Sequence, residues 1–189
     1  MRIIGIDPGT TITGIGIVEH RNGKVYLIHY DTISLNSKEP LPDRLKKIYD
    51  ECLQCIEEYR PDEFAIETAF YGKNIQSTLK LGQARGVAII AALNCNLKIS
   101  EYSPREVKKS VTGNGASSKV QVQYMVKSIL SIAAGNEIIE VDSSDALAVA
   151  LCHFYCSQNI LSGGGAKKNN TSWKFFAEQN PERIMIKNR

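Results

Sequence analysis

Residues 1–33, MRIIGIDPGTTITGIGIVEHRNGKVYLIHYDTI, decide the fold. Two pieces of turn chemistry, Asp7-Pro8-Gly9 and Arg21-Asn22-Gly23, cut the apolar runs. The stretch therefore predicts three strands, Arg2 to Ile6, Gly14 to Glu19 and Val25 to Ile33. Asn-Gly tolerates positive backbone angles at the centre of a tight hairpin, which sets adjacent strands antiparallel. Downstream the period changes. Leu45, Ile48, Leu53 and Ile56 recur near helical spacing over Pro42 to Tyr59, and Arg60-Pro61 ends that helix. A buried strand, Glu63 to Ile66, a helix, Ile75 to Leu93, and a short strand, Lys98 to Tyr102, follow. Pro104 opens a turn or short helix, Thr112-Gly113-Asn114-Gly115 reads as a flexible connection, and two more helices run near Lys119 to Ser131 and Ser143 to Ser157. A run of antiparallel strands followed by alternating helices and strands implies an α/β fold, a mixed five-stranded sheet flanked by helices.

At 189 residues with 43% hydrophobic content, the chain has room for one domain with a substantial core and a short appendage. That predicts a domain over 1–158 and a Gly/Lys/Asn-containing tail over 159–189, with Ser162-Gly163-Gly164-Gly165 as a linker. No apolar run reaches membrane-spanning length and no secretory leader pattern opens the chain, so the expected compartment is the cytoplasm. Five cysteines at irregular spacing do not make a disulfide framework. Cys52-x-x-Cys55 and Cys152-His153-x-x-Cys156 fall in apolar helical patterns, which suits small buried side chains better than zinc ligands. Formal net charge is +3, but its distribution is uneven. Six basic and two acidic residues follow position 158, giving the tail +4 and leaving 17 basic against 18 acidic residues in the body. Net charge alone therefore does not select a partner.

Four carboxylates stand where buried elements end or begin. Asp7 closes the first strand, Glu67 closes Phe64-Ala65-Ile66, and Asp142 and Asp145 open the last apolar stretch. Singly each has an ordinary role: a turn former, a solvated strand-end charge, and an N-capping pair. Asp142 and Asp145, three apart, also share a helix face. Acids from distant segments that converge in a fold need cations or shared protons between them. An all-oxygen donor set favours a hard divalent ion, Mg²⁺ before Zn²⁺, and paired ions of that kind cut phosphodiesters.

Basic and aromatic residues surround these acids in sequence. Phe70-Tyr71 and Lys73 follow Glu67, and aromatics there serve either as core or as platforms against bases. Lys80 and Arg85 lie on the second long helix, where Gly82 and Gly86 open a smooth patch for close packing within the chain or across a dimer. Arg105, Lys108, Lys109 and Lys119 bracket the glycine loop, an arrangement suited to a phosphate backbone. Lys119 is the candidate cation beside the scissile phosphate.

At this point a family resemblance emerges. The chain closely resembles the RuvC Holliday-junction resolvases of the ribonuclease H-like superfamily over about residues 1 to 157. It does so through Ile4-Gly5-Ile6-Asp7-Pro8-Gly9, Ile66-Glu67 with Phe70, Leu79-Lys80-Leu81-Gly82-Gln83-Ala84-Arg85-Gly86, and Asp142-Ser143-Ser144-Asp145-Ala146-Leu147-Ala148. The resemblance implies a ribonuclease H-like sheet and a homodimer that binds four-way junction DNA and nicks two opposing strands symmetrically. It further implies a metal-binding catalytic quartet of Asp7, Glu67, Asp142 and Asp145, holding two Mg²⁺ per subunit with Mn²⁺ as a substitute. Phe70 corresponds to a base-stacking aromatic, Lys108 and Lys119 to basic residues near the cut, and RuvA and RuvB to branch-migration partners. The tail departs from the family's usual short basic ending. Three competing readings stand beside this one. An actin-like ATP-binding protein is prompted by Asp7-Pro8-Gly9-Thr10-Thr11, although such folds need a duplicated unit. The others are a non-catalytic junction scaffold and a nuclease for RNA–DNA hybrids.

Overall fold

In the computed structural model, the described residues are 1–68, 74–132 and 141–161, without the side chains of 141 and 159–161. Strands β1 (Arg2–Asp7), β2 (Ile12–Arg21), β3 (Lys24–Ser34), β4 (Glu63–Glu67) and β5 (Lys98–Tyr102) form one sheet in the order β3-β2-β1-β4-β5. β1, β2 and β3 pair antiparallel, whereas β4 joins β1 and β5 joins β4 in parallel. The β2–β3 hairpin turns as its Asn-Gly predicts, with φ of 50° at Asn22 and 77° at Gly23. One irregularity interrupts it: Ile17 faces His29 while Val18 faces Leu27, so Ile28 is an extra residue in β3.

The helices are α1 (Leu41–Tyr59), α2 (Ile75–Asn94), α3 (Pro104–Thr112), α4 (Lys119–Ile129) and α5 (Val141–Leu161). Alternation along the strands sorts them into layers. Ile4, Ile6, Ile15, Ile17, Phe64 and Ile66 face α1 and α2, packing on Ile48, Cys52, Ile56 and the alanines of α2. The opposite face of the sheet is built from small residues. Gly5, Gly14 and Gly16 leave a shallow trough, and α5 lies in it. A Cβ placed on Gly5 would stand 2.3 Å from the Ala146 carbonyl oxygen, one on Gly14 would stand 2.1 Å from that of Asp142, and one on Gly16 would stand 2.6 Å from the Leu147 nitrogen. Helix and sheet therefore touch backbone to backbone. On its outer side α5 packs against α3 and α4, so Ala146 to Cys152 are all fully buried. A helix apolar on every side is what such a central position requires.

A buried polar chain fastens α5 further along. His153 pairs through Nε2 with the Glu63 carboxylate, and its Nδ1 lies 2.7 Å from the Tyr102 hydroxyl, linking α5 to β4 and β5. His153 thus has a structural occupation, and Cys52, Cys55 and Cys152 are buried as the apolar reading of their segments predicts.

Of the two forms expected after Pro104, the structure has the short helix, because Ser103 and Glu106 form a reciprocal capping box at its start. Two other expectations need adjustment. Thr112 to Gly115 is knitted rather than loose. The Thr112 hydroxyl reaches the carbonyls of Lys108 at 2.8 Å and Asn114 at 2.9 Å and the Ser117 hydroxyl at 2.8 Å, and it accepts from the Asn114 amide at 3.1 Å. The other is the last helix, expected near Ser143 to Ser157, which continues to Leu161, while the tail from 162 onward lies outside the described residues.

Candidate active site

Two strand ends create the site. β1 and β4 run parallel with Ile6 opposite Ile66, so the next residue of each, Asp7 and Glu67, stands at the same edge of the sheet. Ile6 and Ile66 point toward α1 and α2. Alternation therefore sends Asp7 and Glu67 to the α5 side. Asp7 also pairs with Gly14, the glycine whose Cα abuts the Asp142 backbone. The trough thereby delivers the first turn of α5, with Asp142 and then Asp145, beside the two strand-end acids. Asp142 sits within that first turn, where the helix dipole favours a negative charge, rather than ahead of it as a cap.

Electrostatics report the same convergence. Burial pushes the Asp7 carboxyl up to about 7, and repulsion from Glu67, Asp145 and Asp142 adds to this while Lys119 opposes it. Burial likewise raises Glu67 to about 7, helped by Asp145 and relieved by Lys119 and Lys108. The Lys119 ammonium, at the start of α4, lies 2.8 Å from Asp145 Oδ2, and that hydrogen bond raises the lysine above its ordinary range. Four acids with Lys119 and Lys108 beside them leave the site short of positive charge.

The donor set is oxygen only, which fits a hard cation. The acids are gathered without being closed into a cage. Among the described residues no three His, Cys, Asp or Glu side chains stand together as a ready metal site. One of the acids, Asp145, is paired with Lys119. A cleft of about 350 Å³ between β3 and α1, lined by His29, Asp31, Glu51 and Tyr59 among others, contains none of the four acids.

The other sequence candidates divide. Lys108 is close enough to ease the charge on Glu67. Arg105 lies across Gly115, whose added Cβ would meet the arginine Cγ at 2.6 Å, so it braces the basic loop. Lys80 and Lys109 are exposed. Arg85 is paired with Glu101 of β5, which gives its guanidinium a role in tying α2 to the sheet. Phe70, Tyr71 and Lys73 lie outside the described residues. Sequence reasoning passed over two features: the glycine trough, visible as Gly5, Gly14 and Gly16 at period two, and the buried Arg44, for which α1 offered no signal.

Comparison with known proteins places the chain and its fold in one family. Residues 3–153 match the family described as crossover junction endodeoxyribonuclease RuvC. RuvC of Chloroherpeton thalassium is 46% identical over 187 residues, covering 98% of this chain and 100% of the relative. That of Salinibacter ruber is 46% identical over 184 residues, covering 97% and 99%. The solved structure of T. thermophilus RuvC in complex with Holliday junction substrate superposes with a TM-score of 0.77 at 30% identity, covering 84% of this chain and 96% of that one.

Proposed function

The chain belongs to the RuvC family of crossover junction endodeoxyribonucleases, and from that premise we propose that Asp7, Glu67, Asp142 and Asp145 form the centre with which it cuts. It is an endonuclease that resolves Holliday junctions in homologous recombination. The observation that carries the site assignment is the meeting of acids from β1, β4 and α5 at one sheet edge, where burial and mutual repulsion raise two of them to about 7.

The four carboxylates hold the metal, which we take to be two Mg²⁺ ions, with Mn²⁺ able to replace them. Bound there, such ions activate an attacking water and stabilise the departing 3′ oxygen, leaving a 5′-phosphate and a 3′-hydroxyl. The chain's own residues do the rest. Asp7 and Glu67, fixed on adjacent strands, set the spacing of the oxygen donors. Asp145 would help hold the metal, and Lys119, its 2.8 Å partner, would stand beside the phosphate to offset its developing charge. Lys108, Lys109, Arg105 and Lys80 provide cations for the DNA backbone, and Phe70, Tyr71 and Lys73 are placed by sequence directly after Glu67 for contact near the crossover.

Symmetric nicking needs two centres related by a two-fold axis. We assign the dimer contact to α2. Ile75, Leu79, Ile90 and Leu93 are 75%, 63%, 49% and 51% exposed, and Gly82 and Gly86 have nothing within 4 Å of an added Cβ. Spaced by three and four, these residues form one stripe along the helix, apolar at its ends and flat at its centre. RuvA and RuvB are the branch-migration partners this reading brings, and the cytoplasm is its setting. No described helix is long and apolar enough to cross a membrane.

The test incubates the purified protein with synthetic four-way, fork and linear DNA, with and without Mg²⁺. Paired, symmetric, ligatable nicks in the four-way substrate alone, dependent on metal and absent in Asp7→Asn, are expected. An intact four-way substrate in Mg²⁺ or Mn²⁺, or equal cutting by Asp7→Asn, overturns the assignment.

A further inference from the structure

The strongest unexplained feature outside the acids is a buried charge. Arg44, in the first turns of α1, is 8% exposed. Its Nη1 donates to the Thr10 carbonyl at 2.8 Å, and its Nε is buried with no partner. Among the described residues no carboxylate pairs with this guanidinium. A buried cation without a counter-ion is a poor stabiliser, and an apolar side chain of similar length would fill the same space at lower cost. The charge therefore needs another reason.

Its partner Thr10 supplies that reason. Thr10 belongs to the tight segment between Asp7 and Gly14. Gly9 has no room for a side chain, since a Cβ would stand 1.9 Å from the Ile12 carbonyl oxygen. The buried Thr13 hydroxyl bonds to both the amide and the carbonyl of Gly9, at 3.2 and 3.0 Å, and the Leu35 amide donates to the Thr11 carbonyl at 2.8 Å. The turn is thus braced internally by Thr13, from the end of β3 by Leu35, and from α1 by Arg44. Both of its ends are parts of the candidate active site. One is Asp7; the other is Gly14, on which the Asp142 backbone rests, and the two are cross-strand partners.

We propose that Arg44 is a positioning residue of the nuclease centre, setting through the Thr10 carbonyl the turn that fixes Asp7 relative to Asp142. It touches no reacting atom. A displacement at Thr10 moves the spacing between two metal-binding carboxylates, and misplacement by about 1 Å costs on the order of a hundredfold in rate. The inference rests on the reading of Asp7 as a catalytic acid.

The experiment compares full-length wild type, Arg44→Met, Arg44→Lys and Asp7→Asn in three measurements. These are melting temperature, affinity for a four-way junction without metal, and single-turnover nicking in Mg²⁺. Arg44→Met should melt at or above the wild-type temperature, bind the junction within about twofold, and nick at least about tenfold more slowly. Arg44→Lys, which keeps a donor for Thr10, should recover most of that rate. Wild-type nicking by Arg44→Met overturns the proposal. So does a parallel loss of fold and rate in Arg44→Met with no recovery in Arg44→Lys, because that is the signature of plain packing. Active Asp7→Asn sinks the underlying site assignment, whereas inactive Asp7→Asn beside fully active Arg44→Met sinks this inference alone.

Discussion

Replacing Asp7 by asparagine should raise the stability of the metal-free protein while removing its activity, and the size of the effect follows from the site. In an unfolded chain this carboxyl titrates near 3.8; in the fold it is pushed up to about 7 by burial and by its acidic neighbours. Across that interval the folded state binds the proton and the unfolded state does not. Stability must therefore fall as pH rises from about 4 through about 7, and the full penalty is present above 7. At 1.36 kcal/mol per pH unit the ceiling is about 4 kcal/mol. Asp7 keeps some contact with solvent at the sheet edge, and its neighbours relax when it ionises, so about 2 kcal/mol is the working value. For a chain of this length that is roughly 4 to 8 °C in melting temperature. Thermal melts of chelator-treated wild type and Asp7→Asn at pH 8 and at pH 4 measure it. The variant should lead at pH 8, and the gap should close at pH 4. Saturating Mg²⁺ should then lift the wild type more than the variant, because the ion binds only the folded state with its acids in place. A variant that melts at or below wild type at pH 8, or a lead unchanged at pH 4, refutes the claim that Asp7 is held in an unfavourable charged state.

Other outcomes follow from the same structure. Gly14→Ala drives a methyl group into the Asp142 backbone, so denaturant titration should show a loss of about 1 to 3 kcal/mol, with nicking reduced beyond that loss. Leu79→Glu sets a charge in the α2 stripe proposed as the dimer contact, so sedimentation should find a dimer for the wild type and a monomer for the variant, with the circular dichroism spectrum unchanged. Among the cysteines, contact with Cys152 lowers Cys156, while burial holds Cys52 and Cys55 up to about 12. Brief alkylation at pH 7.5 followed by peptide mass spectrometry should label Cys156 first.

Local chemistry explains which parts were readable from the residues. Asn22-Gly23 predicts its hairpin because only one turn type suits that pair, and β5 was placed at Lys98 to Tyr102, where it lies. The segment from Pro104 was left open between a turn and a short helix although Ser103 and Glu106 carry a capping signature, since a short polar segment lacks the periodicity that marks long helices. The acids were legible as strand-end and helix-start residues, but their meeting was not. It depends on the trough of Gly5, Gly14 and Gly16, where what counts is absent side-chain volume. Arg44 was illegible for a related reason: burial of a charge in an amphipathic helix is decided by the turn above it, and helical spacing places it only on a face.

The central position of α5 has a consequence for biosynthesis. The chain emerges from the ribosome from its N-terminus, so the sheet and α1 to α4 are made before residues 141–161. Until that last helix arrives, the glycine trough has no cover and two of the four acids do not yet exist in the nascent protein. On the proposed assignment, an enzyme whose final catalytic groups arrive on the helix that completes its core should be inert while incomplete, and a chain cut short before residue 142 should lack nuclease activity altogether.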